Sequence, residues 1–484
     1  MSFLCRFSRR SPRSAAVLGA GVVALGVAVP LHRAQAQGFG LNEVGTCSVG
    51  RGFAVSAATC HDGSEIFWNP AAAALLPGTT LSIGAAAINV SGGFRQDTTL
   101  IRYPSNLRTA IAPQIFLNAK LSDETAVGIG VYVPYGLTSQ WYGNFPGRFS
   151  ALKASLNTVY IQPNIAYALN PQWSIGGGPI IGVSTVHLVQ SIDLSSQVAA
   201  VQNGVPITFG QLGIASGTEF ARADVKGHDV AYGFNVGIHG TFAKDWAVGV
   251  RYLSELHFKY DNAKAKFQQI ATGLTLASGN PIVPGGAAAP LDAVLAPQFT
   301  GTNPLTSQSA STNIDHPWQV QGGIGYTGFV GTTLSADVAR MGWSSFKTLP
   351  ITFGGPAAAS NRALLEDYHD IWSYRFGAEH IVQGNNAFHG VAFRGGFSYA
   401  QTPAPDETVS PLLPDMPRRN TSIGIGVPLT DAVRIEGSYL YVNTAGRRGR
   451  IAERTSASQT AAQLNSGAYD LKANVFSLSL VTHF

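Results

Sequence analysis

Charge is what this sequence has least of: 12% of its 484 residues are Asp, Glu, Lys or Arg, against about 25% in a typical globular chain. With 45% apolar residues alongside that shortage, a disordered polyelectrolyte is excluded, and so is a coiled coil, which needs Glu and Lys in quantity. Acidic residues are missing altogether from the first 36 positions, which carry Arg6, Arg9, Arg10, Arg13 and Arg33 and no Lys. The formal charge of +5 therefore sits entirely in this segment; without it 27 of the 32 basic residues face 27 acidic ones. A nucleic-acid or other polyanionic partner loses its main support. Long apolar runs are also missing. The one uncharged stretch of note, Ala15 to Val29, falls short of the ~20 residues that a membrane-crossing helix requires. Catalytic signatures are absent as well: there is no G-x-S-x-G elbow and no H-E-x-x-H pair, Gly176-Gly177-Gly178 lacks a phosphate-loop Lys, and the histidines are scattered without metal-ligand spacing. No cofactor or metal is implied.

What is present begins with an export signal. A basic start, a short apolar core and Ala34-Gln35-Ala36 describe a secretory signal peptide over residues 1–36, cleaved after about Ala36; a membrane anchor is the alternative. An exported chain without a transmembrane helix is either soluble or a transmembrane β-barrel.

Period-two alternation favours the barrel. Val127, Ile129, Val131 and Val133 share one face, as do Val159, Ile161, Ile165 and Tyr167, and Trp246, Val248, Val250 and Tyr252. At the end, Phe476, Leu478, Leu480, Thr482 and Phe484 alternate with Ser477, Ser479, Val481 and His483. A soluble sandwich alternates too; in a membrane barrel the apolar row meets lipid and the polar row lines the lumen. Connection lengths sharpen the reading. Six tight turns, at 122–124, 170–172, 243–245, 327–331, 384–386 and 429–431, interleave with seven long connections near 91–109, 138–156, 190–229, 259–313, 347–369, 401–419 and 444–468. Thirteen joins make fourteen strands, and short turns opposite long loops with an even strand number are the outer-membrane pattern of a Gram-negative bacterium. The expected fold is all-β: an antiparallel transmembrane barrel over 79–484. The 484 residues, which on length alone suggest several domains, become a signal, a short N-terminal segment and one barrel. Trp173, Trp246, Trp318, Trp343, Trp372 and Tyr439 near strand ends suit an interfacial girdle, or the ordinary aromatic enrichment of strands.

Residues 37–78 do not alternate and are too few for a core of their own. They read as a plug in the lumen or as a flexible leader. Here the motifs Gly38-Phe39, Leu41-Asn42-Glu43, Gly50-Arg51-Gly52-Phe53-Ala54, Asp62-Gly63-Ser64 and Asn69-Pro70-Ala71, followed in order by Pro134-Tyr135-Gly136-Leu137, Gly147-Arg148-Phe149, Pro163-Asn164-Ile165-Ala166-Tyr167, Trp343-Ser344-Ser345-Phe346 and Leu413-Pro414-Asp415, resemble the FadL/TodX family of outer-membrane channels for long-chain fatty acids and other hydrophobic compounds. The resemblance implies a fourteen-stranded barrel with an internal hatch over 37–78, gated around Gly38, Asn69, Pro70 and Ala71. It implies passive uptake by loop capture, hatch movement and lateral exit through an inward kink of the third strand, which Pro134, with Gly136 beside it, would make by removing a ladder donor and stiffening the turn; a strand ending normally at Pro134 is the alternative. Phe39, Lys347 and His187 fall near the family's ligand positions, Lys347 and His187 also reading as solvated lumen or loop groups. Where the family has an Arg, this chain offers only His187, which leaves room for neutral aromatic or other hydrocarbons in place of fatty acids. The apolar residues of loops 190–229 and 259–313, Val198, Val201, Val205, Phe209, Leu276 and Leu291 among them, suit a capture surface or ordinary loop packing.

Cys47 and Cys60 are the cysteines left after signal removal. Export places them in an oxidising compartment, where a bond would close a loop of about 14 residues; two buried free thiols are the alternative. The terminal Phe484 resembles the signal read by the barrel-assembly machinery. A general water-filled porin, and an outer-membrane enzyme or adhesin, are the competing classes.

Overall fold

The computed structural model describes residues 38–384, 387–454 and 456–484; the expected signal over 1–36 and the Asn385-Asn386 part of one turn lie outside them. Among the described residues fourteen long strands form one antiparallel ring: β1 Thr79–Gln96, β2 Ala110–Lys120, β3 Thr125–Gln140, β4 Lys153–Ala168, β5 Trp173–Asp193, β6 Glu219–Phe242, β7 Trp246–Leu253, β8 Gln319–Phe329, β9 Thr332–Met341, β10 Ile371–Ile381, β11 Ala392–Ala400, β12 Arg418–Pro428, β13 Val433–Thr444 and β14 Asn465–His483. Each pairs with its sequence neighbours. β14 returns to β1 in register from Thr80↔His483 to Gln96↔Gly467, so the ring has no free edge, the condition for crossing a bilayer with strands.

The alternation has the polarity of a membrane barrel. On β14 Phe476, Leu478 and Leu480 are exposed while Ser477, Ser479 and Val481 are buried. On β4 Ile165 and Tyr167 face out, and Thr158, Gln162 and Asn164 face in and are buried. An apolar outside costs little against lipid, whereas a polar inside needs partners. Trp173, Trp246 and Trp372 stand exposed at strand ends, with Trp246 against Phe242 and Tyr326. Trp343 is a correction to the girdle: it is fully buried, because the chain after β9 turns over the lumen and packs Trp343 edge-on against Phe39. The external connections also hold more strand than their polarity suggests. β5 and β6 run for 21 and 24 residues, about twice the length a tilted strand needs to span the apolar layer. Asp224, Lys226 and His228, read as loop in the sequence, are paired β6 residues above that layer.

The segment from Gly38 to Leu76 lies within the ring. It forms two single-turn helices, Thr46–Gly50 and Glu65–Trp68, and a 3₁₀ turn at Pro70–Leu75. Its irregular backbone leaves many N–H and C=O groups unmatched, and these need partners once buried. The inward polar row of the wall supplies them. Asp337 of β9 accepts from the backbone N–H of Val55 (3.1 Å) and Ser56 (2.9 Å) and from Gln321 (2.8 Å). Asn235 donates to the carbonyls of Ile66 and Phe67, Gln162 to Ile66, and Asn164 to Pro70. Arg251 donates to the Phe67 carbonyl at 3.0 Å and lies over the Phe67 ring. Close approach requires glycine in the wall: a Cβ on Gly176 would stand 2.5 Å from the Pro70 carbonyl oxygen, one on Gly249 1.9 Å from that of Ser56, and one on Gly396 2.1 Å from the Gly52 nitrogen. The 55 glycines thus include a belt where the wall meets the inner segment.

Cys47 and Cys60 are joined, with Cα atoms 5.9 Å apart. A closed loop of this size stabilises by roughly 3 kcal/mol in the chain-entropy model. Thiol alkylation of the mature protein, unfolded without reductant, is expected to label neither residue, and to label both after reduction. Two reactive thiols before reduction would contradict the bond.

Candidate functional site

The site begins where one strand leaves the wall. β3 pairs with β2 only from Lys120↔Ala126 to Ile115↔Val131; beyond that, Ala110 to Gln114 of β2 pair with β1 alone. On its other side β3 continues against β4 to Gln140, with a bulge after Tyr132↔Tyr160 that sets two residues, Val133 and Pro134, opposite one. Pro134 has no N–H to give a ladder, which suits it to a bulge. Every residue from Pro134 to Ser139 is buried, although a wall strand exposes alternate residues. Both faces are covered because the strand has turned inward. Its vacated edge pairs with the inner segment instead: Leu41 N–H donates to the Pro134 carbonyl, and Gly136 N–H to the Phe39 carbonyl, both at 2.8 Å. The strand does not end at Pro134; it bends there, leaving a gap in wall pairing between β2 and β3.

Behind the gap lies a small apolar cavity of about 30 Å³, lined by Phe39, Leu137, Leu156, Val186, Phe346, Leu413 and their neighbours. Leu137 and Leu413 also border a second cleft of about 40 Å³ that reaches Gly38, Asp415, Met416, Arg418 and Val442. The two spaces thus share Leu137 and Leu413 as a common wall; the first is apolar, and the second also carries Asp415, Arg418 and Lys472. Arg418 stands 3.7 Å from Asp415. The Asp415 carboxylate is already held by the Gly38 N–H at 2.8 Å and by the Thr402 hydroxyl, so Arg418 shares an occupied anion.

Of the residues singled out in the sequence, Phe39 and Gly38 line these spaces, and Pro134 and Gly136 shape the bend beside them. Asn69, Pro70 and Ala71 lie elsewhere, against β4, β5 and β6, where Asn69 donates to the carbonyls of Ser56 and Ile238 and Ser174 donates to Ala71. Lys347 follows the cavity residue Phe346, but its Nζ donates to the Tyr368 carbonyl at 3.0 Å. His187 alternates with the cavity residues Val186 and Leu188, faces the opposite side, and pairs with Asp224 at 3.1 Å. Neither brings a charge to the cavity. Arg418 was not singled out; its signal was its place three residues after the Leu413-Pro414-Asp415 motif. In the loops, Phe209, Leu276, Leu291 and Leu295 bury one another in a small core of their own, while Val198, Val201 and Val205 stay exposed on the hairpin Val198–Gln202/Val205–Thr208. Leu274 of the other loop is exposed as well.

The roof over Phe346 carries a buried acid. Tyr368 packs edge-on against Phe346, and two residues before it Glu366 is fully buried, 4.0 Å from Arg450, with neither carboxylate oxygen hydrogen-bonded. Burial pushes its pKa up from 4.5 to about 7 against the opposing pull of Arg450. The folded roof thus prefers protonated Glu366. Its contribution to stability is full below about pH 4.5 and is lost as pH rises through about 7. Hydrogen exchange of the 362–368 backbone is expected to quicken across that window in the native protein and to do so much less in Glu366→Gln; an unchanged pH response in the variant would rule the residue out as its source.

The family described as outer membrane protein transport protein (OMPP1/FadL/TodX) matches residues 27–484. A long-chain fatty acid transport protein of Escherichia coli O6:H1 is 25% identical over 437 residues, covering 87% of this chain and 90% of its own. A 47 kDa outer membrane protein of Pasteurella multocida is 22% identical over 427 residues, with 87% and 90% covered. Among solved structures, a Pseudomonas aeruginosa FadL homologue aligns with a TM-score of 0.72 at 21% identity over 92% of this chain and all of its own. The Pseudomonas putida toluene transporter TodX aligns at 0.61 and 14% identity over 93% of this chain and 99% of its own.

Proposed function

The chain belongs to the outer membrane protein transport family (OMPP1/FadL/TodX), and from that premise we propose that it takes up long-chain fatty acids passively across the outer membrane of a Gram-negative bacterium. The relatives named as long-chain fatty acid transporters match it over most of their length. A greasy solute gains nothing from a water-filled lumen. It is captured at the exposed Val198–Val205 hairpin, moves to the cavity at Phe39, and leaves sideways between β2 and β3 into the bilayer. The segment 38–76 acts as the hatch, and movement of Gly38 and Phe39 away from the bent strand connects the cavity to the gap. The observation that carries this reading is the inward bend of β3 beside an apolar cavity, with the hatch holding the vacated strand edge. Its role is that of a channel and not of a catalyst. Phe484, whose backbone pairs with Thr79 at the closing seam, serves as the terminal mark for the assembly machinery.

A fatty-acid head group is placed toward Arg418, a buried cation lining the neighbouring cleft. A second reading, neutral aromatic or other hydrocarbons as cargo, is favoured by the prior pairing of Arg418 with Asp415 and by the turned-away Lys347 and His187. Uptake of labelled oleate and toluene, in cells lacking their own transporters, separates the two. Oleate uptake is expected to depend on the protein, and Arg418→Ala to weaken oleate binding by about tenfold to a hundredfold, the worth of one hydrogen bond to a charged group, with toluene unaffected. Toluene uptake alone, indifferent to Arg418, would select the hydrocarbon reading; no uptake of either would overturn both.

A further inference from the structure

Between β7 and β8 the chain runs Glu255-Leu256-His257-Phe258-Lys259 and leaves the wall as a separate two-stranded ladder, Leu256–Lys259 against Asn313–His316. Leu256 and Phe258 are buried, Phe258 packing on His316, so alternation turns His257 and Lys259 to the other face. Cross-strand pairing sets His257 directly opposite Asp315, with Nδ1 and Oδ1 3.0 Å apart. Glu255 joins them: one ligand atom from each of Glu255, His257 and Asp315 lies within 4.8 Å of the other two. The Glu255 Oε1 is shielded from solvent and has no hydrogen-bond partner. Two carboxylates are thus gathered around one imidazole. The nearest other groups on this face are Lys259, with its side chain exposed, and Asp261, which adds negative charge; the Lys259 backbone N–H donates to Asp229.

We propose that Glu255, His257 and Asp315 bind a divalent metal ion of the zinc class. One imidazole nitrogen and two carboxylate oxygens are a donor set that Zn²⁺ accepts at about 2.0–2.2 Å, with further positions left for water. Small side-chain rotations close the ligands onto one centre. A polar cleft of about 550 Å³, bordered by His257, Lys259, Asp261, Asn313 and Asp315, gives the ion and its waters access from outside. Both strands of the ladder contribute ligands, so the ion ties together the two stems of the 260–312 connection at the mouth of the barrel. Binding stabilises that mouth, and the stabilisation grows with the logarithm of the free-ion concentration above the dissociation constant.

Untagged, detergent-solubilised protein is stripped with a chelator and titrated with Zn²⁺ by calorimetry, with thermal unfolding followed in parallel. One saturable equivalent per chain and a raised unfolding midpoint are expected. His257→Ala and Glu255→Gln, each checked for heat-modifiable electrophoretic mobility as a sign of a folded barrel, are expected to weaken binding at least tenfold, and His389→Ala to leave it unchanged. Glu255→Gln decides the matter should His257→Ala fail to fold. No saturable binding, or equal binding in wild type and both site variants, would overturn the proposal.

Discussion

A ring of fourteen strands encloses more space than its own inward side chains fill, and what occupies that space has to satisfy its backbone without water. The rest of the structure depends on this constraint. The inner segment is too short and too irregular to hydrogen-bond itself, so the wall does so for it. Asp337, Asn235, Gln162, Asn164 and Arg251 each reach a main-chain group of residues 55–70. Each is polar on a face that a soluble sandwich would have made apolar. The glycine belt follows from the same demand, since backbone groups of the inner segment come closer to the strands than any Cβ permits.

The bend in β3 uses this arrangement in reverse. A strand leaving the wall exposes ladder groups on two edges, a liability in a bilayer. Residues 39–41 cover one of them, with Pro134 accepting and Gly136 donating. The segment that fills the lumen is therefore the one that stabilises the break in its side. The two are joined by two hydrogen bonds and by the packing of Phe39 on Tyr135, Trp343 and Phe346.

The barrel was legible because its signals are local: period-two rows such as Phe476 to Leu480, and short turns such as Ser122-Asp123-Glu124, need no knowledge of distant partners. The lengths of β5 and β6 were hidden, since strand residues above the apolar layer, such as Asp224 and His228, are polar and look like loop. Trp343 misled for a related reason: an aromatic near a strand end reads alike whether it meets the interface or folds over the lumen. Site chemistry was least legible. The direction of Lys347 is set by the Tyr368 carbonyl and that of His187 by strand parity and Asp224. Arg418 owes its place to Asp415 and to the distant Gly38, a relation that spacing along the chain does not display.

The central claim is that the inner segment seals the lumen and the side route is the path for cargo. Ionic conductance of the purified protein in a planar lipid bilayer tests it most directly. Wild type is expected to show no large steady current, and a variant lacking residues 38–76 to show an open, ohmic one. A large steady current through the wild-type channel would contradict the account, because a lumen open to ions is not one held shut by Asp337 and its neighbours.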